Sequence, residues 1–176
     1  MVARALLGCV LVAQRGGLTA GRIVETEAYL GPEDQASHAA YRPSSRPLFY
    51  GPGGIAYVFA AYGQHGCLNA IAGRRREPGC VLIRALEPLA GLSIMARRRG
   101  IPVERRRLAT GPGNLTRALG ITVADTGLDL TQGALTIRPP ERAIDFAVVV
   151  GPRIGITRSA ALPLRFCIAH DPFVSR

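Results

Sequence analysis

At 176 residues and 48% hydrophobic, the chain can bury one substantial core and is too short for two domains of ordinary size. That composition excludes a disordered chain, and no apolar run, Phe146–Val150 included, is long enough to span a bilayer. A net charge of +10 and a pI near 10.7 make a polyanion the expected partner, nucleic acid first and an anionic membrane second.

Val2–Leu7 has the pattern of a short helix, without an N-cap ahead of it. Gly8 leads into a strand, Cys9–Gln14, and Gly16-Gly17 turns the chain into a second strand, Leu18–Leu30. The centre of that strand, GRIVETEAYL at Gly21–Leu30, carries the most information. Alternation puts Glu25, Glu27 and Tyr29 on one face and Val24, Thr26 and Ala28 on the other. Two carboxylates beside an aromatic ring make a poor core face. A carboxylate held on a rigid strand near apolar surface can act as a general base. Alternatively, the glutamates pair with nearby arginines on a solvated edge strand.

Gly31–Asp34 forms a turn or the start of a brief helix, and Ser37–Gly54 a loop rich in Pro, Ser, Arg and Tyr. Within that loop His38 taken alone is a solvated histidine, whereas Arg42 and Arg46 are placed to grip phosphates. Strands Ile55–Ala61 and Cys67–Ala72 make a hairpin through Tyr62–Gly66. At a glycine-flanked turn Tyr62 either folds back on the sheet or stands exposed as a wedge for insertion between base steps. Tyr57 and Phe59 share a strand face, and with Tyr29 they form either core or a stacking pocket. Asn69, an amide among apolar neighbours, needs hydrogen-bond partners if buried: it satisfies backbone, or it faces a ligand as a selectivity element. Arg84 interrupts the apolar strand Cys80–Ala85, which ends at Glu87-Pro88, and its candidate partners are Glu25 and Glu27.

Leu89–Arg99 has helical spacing and stops at Gly100 and Pro102; Asn114–Leu119 is a second short helix, opened by Gly111-Pro112-Gly113. Strands at Leu135–Ile137, Ala147–Ile156 and Leu164–Ile168 close the chain. The arginine triplets at 74–76, 97–99 and 105–107 form a basic surface, the middle one also complementing a helix C-terminus. Strands mixed with short helices, without a βαβ rhythm, predict an α+β fold: a single compact domain, residues 1–176, with a curved, mostly antiparallel β-sheet core flanked by short helices.

Other residue types narrow the chemistry. The cysteines at 9, 67, 80 and 167 lack C-x-x-C spacing, so zinc, iron–sulfur and disulfide readings fail, and reduced thiols in a cytoplasmic protein are expected. Three histidines without spaced carboxylates give no metal site, and no cofactor is expected. No signal peptide is visible at Met1, and no long basic amphipathic helix points to a membrane. All 22 basic residues are arginine, so a lysine amine for Schiff-base chemistry is absent and only the α-amino group remains.

Taken together, ARALLG (Ala3–Gly8), GRIVETEAYLGPED (Gly21–Asp34), Ala36-Ser37-His38, YVFAAYGQHGCLN (Tyr57–Asn69), VLIRALEP (Val81–Pro88), Gly111–Leu115 and Pro163–Phe166 resemble the alkyladenine (3-methyladenine, methylpurine) DNA glycosylase family. The similarity runs in order through nearly the whole chain. It implies a monofunctional enzyme of base excision repair that removes 3-methyladenine, 7-methylguanine, hypoxanthine or ethenoadenine from duplex DNA by hydrolysis, without lyase activity. The implied partner is double-stranded DNA containing damaged purines, bound by a monomer in the bacterial cytoplasm at the nucleoid, without cofactor or membrane.

The resemblance assigns Glu27 as general base and puts Arg84 near that base and its water. It gives Tyr29, His38 and Phe59 as the residues enclosing the flipped base, Asn69 as the one excluding the guanine 2-amino group, and Tyr62 as the intercalating wedge. Phe59 stands where a tyrosine often occurs, Ala60 and Ala61 are smaller than usual, and Asn114 replaces a basic residue of some relatives. A non-catalytic basic nucleic-acid-binding module would account for the charge and Tyr62 but leaves the paired carboxylates unexplained. A hydrolase of free nucleosides or glycosides would need no polyanion surface.

Overall fold

In the computed structural model, residues 1–61, 65–73, 77–103, 105–140, 142 and 145–175 are described, apart from the side chains of His65 and Arg105. The organising element is β2 (Leu18–Tyr29), twelve residues rich in β-branched and aromatic side chains. β1 (Val10–Gln14) folds back antiparallel on its N-terminal half, from Val10↔Arg22 to Gln14↔Leu18. The turn between them uses Gly16 and Gly17, both at positive φ, as a tight hairpin demands.

β5 (Cys80–Ala90) lies along the other edge of β2, followed outward by β4 (His65–Ile71) and β3 (Ala56–Ala61). β6 (Leu135–Arg138) borders β1. β8 (Arg165–Ile168) pairs with β2 at Glu25–Glu27, and β7 (Val148–Gly151) pairs with β8. All of these pairings are antiparallel, and the sheet curls into a half-barrel. The sequence-based fold class is therefore the observed one. Its main consequence is that the C-terminal half of β2 runs between β5 and β8, so the two glutamates stand in the middle of the sheet.

Among the described residues, six short helices surround the sheet: α1 (Val2–Ala5), α2 (His38–Tyr41), α3 (Arg46–Phe49), α4 (Leu92–Arg99), α5 (Arg105–Leu108) and α6 (Pro112–Leu119). α6 packs on β4 and β5 and is backed by α4, which closes a core of residues such as Leu11, Ile23, Ile83, Leu115 and Leu119. α1 crosses β2, where the Thr26 hydroxyl donates to Ala3 O at 2.8 Å. A second, smaller cluster of Ala39, Phe49, Tyr57, Ile71 and Cys80 gathers where α2 and α3 meet the sheet. Among the described residues, no helix is long and apolar enough to cross a membrane.

Several boundaries differ from the sequence expectation. The loop at 37–54 contains α2, a 3-10 turn at Pro43–Ser45 and α3, pieces too short to display a periodicity. Ser37 caps α2 by accepting from Ala39 N. β5 runs past Pro88 to Ala90, because Pro88 sits at a register irregularity opposite Gly21. Leu89 thus belongs to a strand, and the helix begins at Leu92. Gly91 makes the break: its φ is +73°, and a Cβ there would lie 2.2 Å from Leu18 O. The expected strand Ala147–Ile156 stops at Gly151, because Pro152 brings no N–H to the ladder. The triplet Arg105–Arg107 opens α5, where no helix was expected. Tyr62 and the triplet at 74–76 lie outside the described residues.

Candidate active site

Every residue of β2 from Ile23 to Ala28 is buried, so alternation did not divide a wet face from a dry one. Register shifts at Ile23/Glu25 and Glu25/Thr26 bend the strand there, and β5 and β8 flank it. Glu25 and Glu27 are both wholly inaccessible. Buried carboxylates are tolerated only when paired and hydrogen-bonded. Arg84 on β5 does this for both: its Nε is 3.1 Å from Glu25 Oε1 and its NH1 3.3 Å from Glu27 Oε1.

The two acids then part company. Glu25 Oε1 also accepts from Arg165 Nε at 2.6 Å and its Oε2 from Ser175 N at 2.7 Å, which ties the C-terminal segment to β2. Glu27 Oε1 accepts from Ile154 N at 2.8 Å, and Oε2 from the Tyr29 hydroxyl at 3.0 Å. Tyr29, Arg84 and Ile154 all line a cavity of about 380 Å³. Glu27 lies directly behind that lining, whereas Arg165 and Ser175 take Glu25 away from it.

The cavity walls are largely aromatic, with Tyr29, His38, Tyr57 and Phe59 among them. His38 opens α2 and is half-buried. Its Nδ1 is 2.6 Å from the Tyr57 hydroxyl, and its ring centre is 4.4 Å from that of Phe59. Burial, helped by the charge of Arg42, lowers the imidazole pKa to about 4, so the ring is neutral at pH 7. Burial also pushes the Tyr57 phenol up to about 12 and the Cys67 thiol up to about 11. The Tyr29 phenol is raised by burial and then by the Glu27 carboxylate that it faces.

Asn69 forms part of the floor. Its amide nitrogen donates to Tyr57 O and Cys67 O, both at 3.1 Å, and its Oδ1 accepts from the Cys80 thiol at 3.6 Å. The side chain satisfies backbone, one of the two sequence readings, and it borders the cavity. Arg42 and Arg46 are exposed on the α2–α3 segment and do not line the cavity. Arg42 is close enough to act electrostatically on His38, Tyr41 and Tyr57.

Some site groups escaped sequence reasoning. Tyr41, 53% exposed, stands at the cavity mouth edge-on to His38, with ring centres 5.2 Å apart. Arg153 makes a fully buried pair with Asp34. Burial alone would raise the Asp34 carboxyl, but Arg153 and the amides of Leu30 and Ala36 hold it below the usual carboxylate range. Arg153 meets the criterion applied to Arg84, a charge interrupting an apolar run, and that is the sequence signal for it. Among the described residues, no group of three or more His, Cys, Asp or Glu side chains could hold a metal ion.

The profile of the family described as methylpurine-DNA glycosylase matches residues 1–172. The chain belongs to that family. Over 99% of its length it is 45% identical to a protein of Methanoculleus marisnigri, covering 92% of that relative. It is 44% identical, again over 99% of its length, to proteins of Koribacter versatilis and Nitrosospira multiformis, of which 87% and 88% are covered. All three relatives are named for 3-methyladenine DNA glycosylase. Family membership and cavity agree in scale: the cavity volume falls in the range of about 300–1,000 Å³ typical of small-molecule sites, room enough for one purine.

Proposed function

We propose that this protein is a monofunctional DNA glycosylase that hydrolyses the glycosidic bond of 3-methyladenine, 7-methylguanine, hypoxanthine or ethenoadenine in duplex DNA. The observation that carries the proposal is a buried carboxylate, Glu27, bonded to three groups that line an aromatic cavity of nucleobase size. A base stacked inside a duplex exposes no path to C1′, so it must first be extruded. Tyr29, His38 and Phe59 then enclose its faces, a neutral His38 being the form that tolerates a cationic alkylated purine. Asn69, with its amide nitrogen already committed, presents a fixed polar edge that crowds the 2-amino group of guanine.

As the C1′–N bond breaks, the purine leaves with the bonding electrons and positive charge develops on the sugar. Glu27 stabilises that charge and accepts the proton of the water that attacks C1′. Its Oε2 accepts one hydrogen bond from Tyr29, which leaves a lone pair for that water. Arg84 holds the carboxylate in orientation. Glu25, two of whose partners, Arg165 and Ser175, stand away from the cavity lining, has the structural share of the pair. Purines alkylated at N3 or N7 are already cationic leaving groups and need little acid assistance. With no lysine in the chain, the product is an unbroken abasic site. Tyr62 fills the gap left in the helix, and Arg42 and Arg46 grip flanking phosphates.

Incubation with duplexes carrying a single hypoxanthine, 7-methylguanine or ethenoadenine, followed by alkali, tests this reading. Wild type leaves an alkali-labile site without spontaneous strand cleavage, and Glu27→Gln binds the lesion duplex without releasing the base. Base excision at wild-type rate by Glu27→Gln would move the base role, first of all to Glu25. Tight duplex binding without release of any lesion would make the protein a binding module, and release from free nucleosides would make it a nucleoside hydrolase.

A further inference from the structure

Arg153 has no part in the bond-breaking step, yet its side chain is completely buried beside the groups that hold Glu27. Its NH1 donates to Asp34 Oδ2 at 2.6 Å and to Ala28 O at 3.0 Å, and its NH2 donates to Asp34 Oδ1 at 2.8 Å. The guanidinium carbon lies 4.6 Å from the centre of the Tyr29 ring, within cation–π range. Ala28, to which it is bonded, sits on β2 between Glu27 and Tyr29. The next residue in the chain, Ile154, provides the amide that reaches Glu27 Oε1 at 2.8 Å.

Three groups orient the Glu27 carboxylate: the Tyr29 hydroxyl, the Ile154 amide and Arg84. Two of them are governed by Arg153, one through its ring and one through a peptide bond. Asp34 in turn fixes Arg153 with a two-point fork, a geometry available to arginine but not to lysine. We infer that Arg153, locked by Asp34, is a positioning residue that sets the orientation of the Glu27 carboxylate through Tyr29 and Ile154. This rests on the reading of Glu27 as the base. A plain structural tie between the segment after β7 and β2 would instead contribute stability alone.

Single-turnover excision separates the two. The substrate is whichever duplex of the hypoxanthine, 7-methylguanine and ethenoadenine set wild type processes fastest, and affinity is measured with a duplex carrying a tetrahydrofuran abasic-site analogue. Arg153→Met lowers the excision rate constant on the order of 10- to 100-fold, the cost of a base displaced by up to about 1 Å, with affinity unchanged. Arg153→Lys recovers part of the rate, because it keeps a cation over Tyr29 while losing the fork. Asp34→Asn falls between wild type and Arg153→Met.

A purely structural role reduces the fraction of active molecules and the melting temperature, and leaves the rate constant of the folded fraction alone. That result, or Arg153→Lys no faster than Arg153→Met, overturns the inference. Should Arg153→Met not fold, the lysine and Asp34→Asn variants decide it through the same rate constant. The two readings fail separately. Retained excision by Glu27→Gln removes the base assignment and this inference with it, whereas an inactive Glu27→Gln beside an unaltered Arg153→Met rate constant sinks the positioning role alone.

Discussion

Glu25 and Glu27 are two residues apart, equally buried and touched by the same arginine, and their remaining partners separate them. Glu25 neutralises Arg84 and Arg165 at once. Its conversion to Gln leaves Arg165 without this carboxylate and Arg84 with Glu27, and about 3–5 kcal/mol of stability is lost, read as a lower urea midpoint at unchanged slope. His38 makes a different prediction. In the folded protein its imidazole takes up a proton only near pH 4, against 6.5 for an ordinary histidine. The unfolded chain therefore binds the extra proton between those values. The stabilising contribution of neutral His38 is fully present above pH 6.5 and drains away as pH falls towards 4. Urea midpoints measured across that window fall with decreasing pH in wild type and fall less steeply in His38→Gln.

At the scale of elements, β2 shows why the strand was legible and its surroundings were not. Its composition announced a strand, and alternation identified Glu25, Glu27 and Tyr29 as a set. β5 and β8 cover its edges, and its side chains are met by α1 and by the segments carrying Ile154 and Ser175, all from distant parts of the chain. The join between β5 and α4 is a comparable case. Helical periodicity extended backwards over Leu89 and Ala90, but pairing with β2 claimed those residues, and Gly91 absorbed the change of direction. Gly91→Ala places a Cβ against Leu18 O in a left-handed backbone conformation and should cost roughly 1–3 kcal/mol, seen as a lower melting temperature. α2 and α3 were invisible because four-residue helices have no period to detect, although Ser37 was in place to cap the first.

For the molecule as a whole, the charges sort by depth. The deepest acids, Glu25, Glu27, Asp34 and Asp125, are each matched by an arginine, Arg84, Arg165, Arg153 or Arg15, so the interior is close to neutral. The excess of +10 is then carried mainly by the outer arginines, Arg42 and Arg46 included, as suits a partner met through its phosphates. Affinity for undamaged duplex should fall steeply with salt, and Arg42→Gln and Arg46→Gln should each reduce the slope of log K against log salt by about one, measured by fluorescence anisotropy. An unchanged slope in both variants would remove the α2–α3 segment from the DNA path.

Composition, alternation and turn residues determined the class of fold, the expectation of a polyanionic partner and the strand that carries the acids, because each depends on neighbours in sequence or on totals. The different partners of Glu27 and Glu25, the aromatic enclosure and the Arg153–Asp34 fork are of another kind. They are produced by β5, β8, α2 and the segment after Gly151 converging on one stretch of β2, and a buried charge takes its role from partners that arrive from far along the chain.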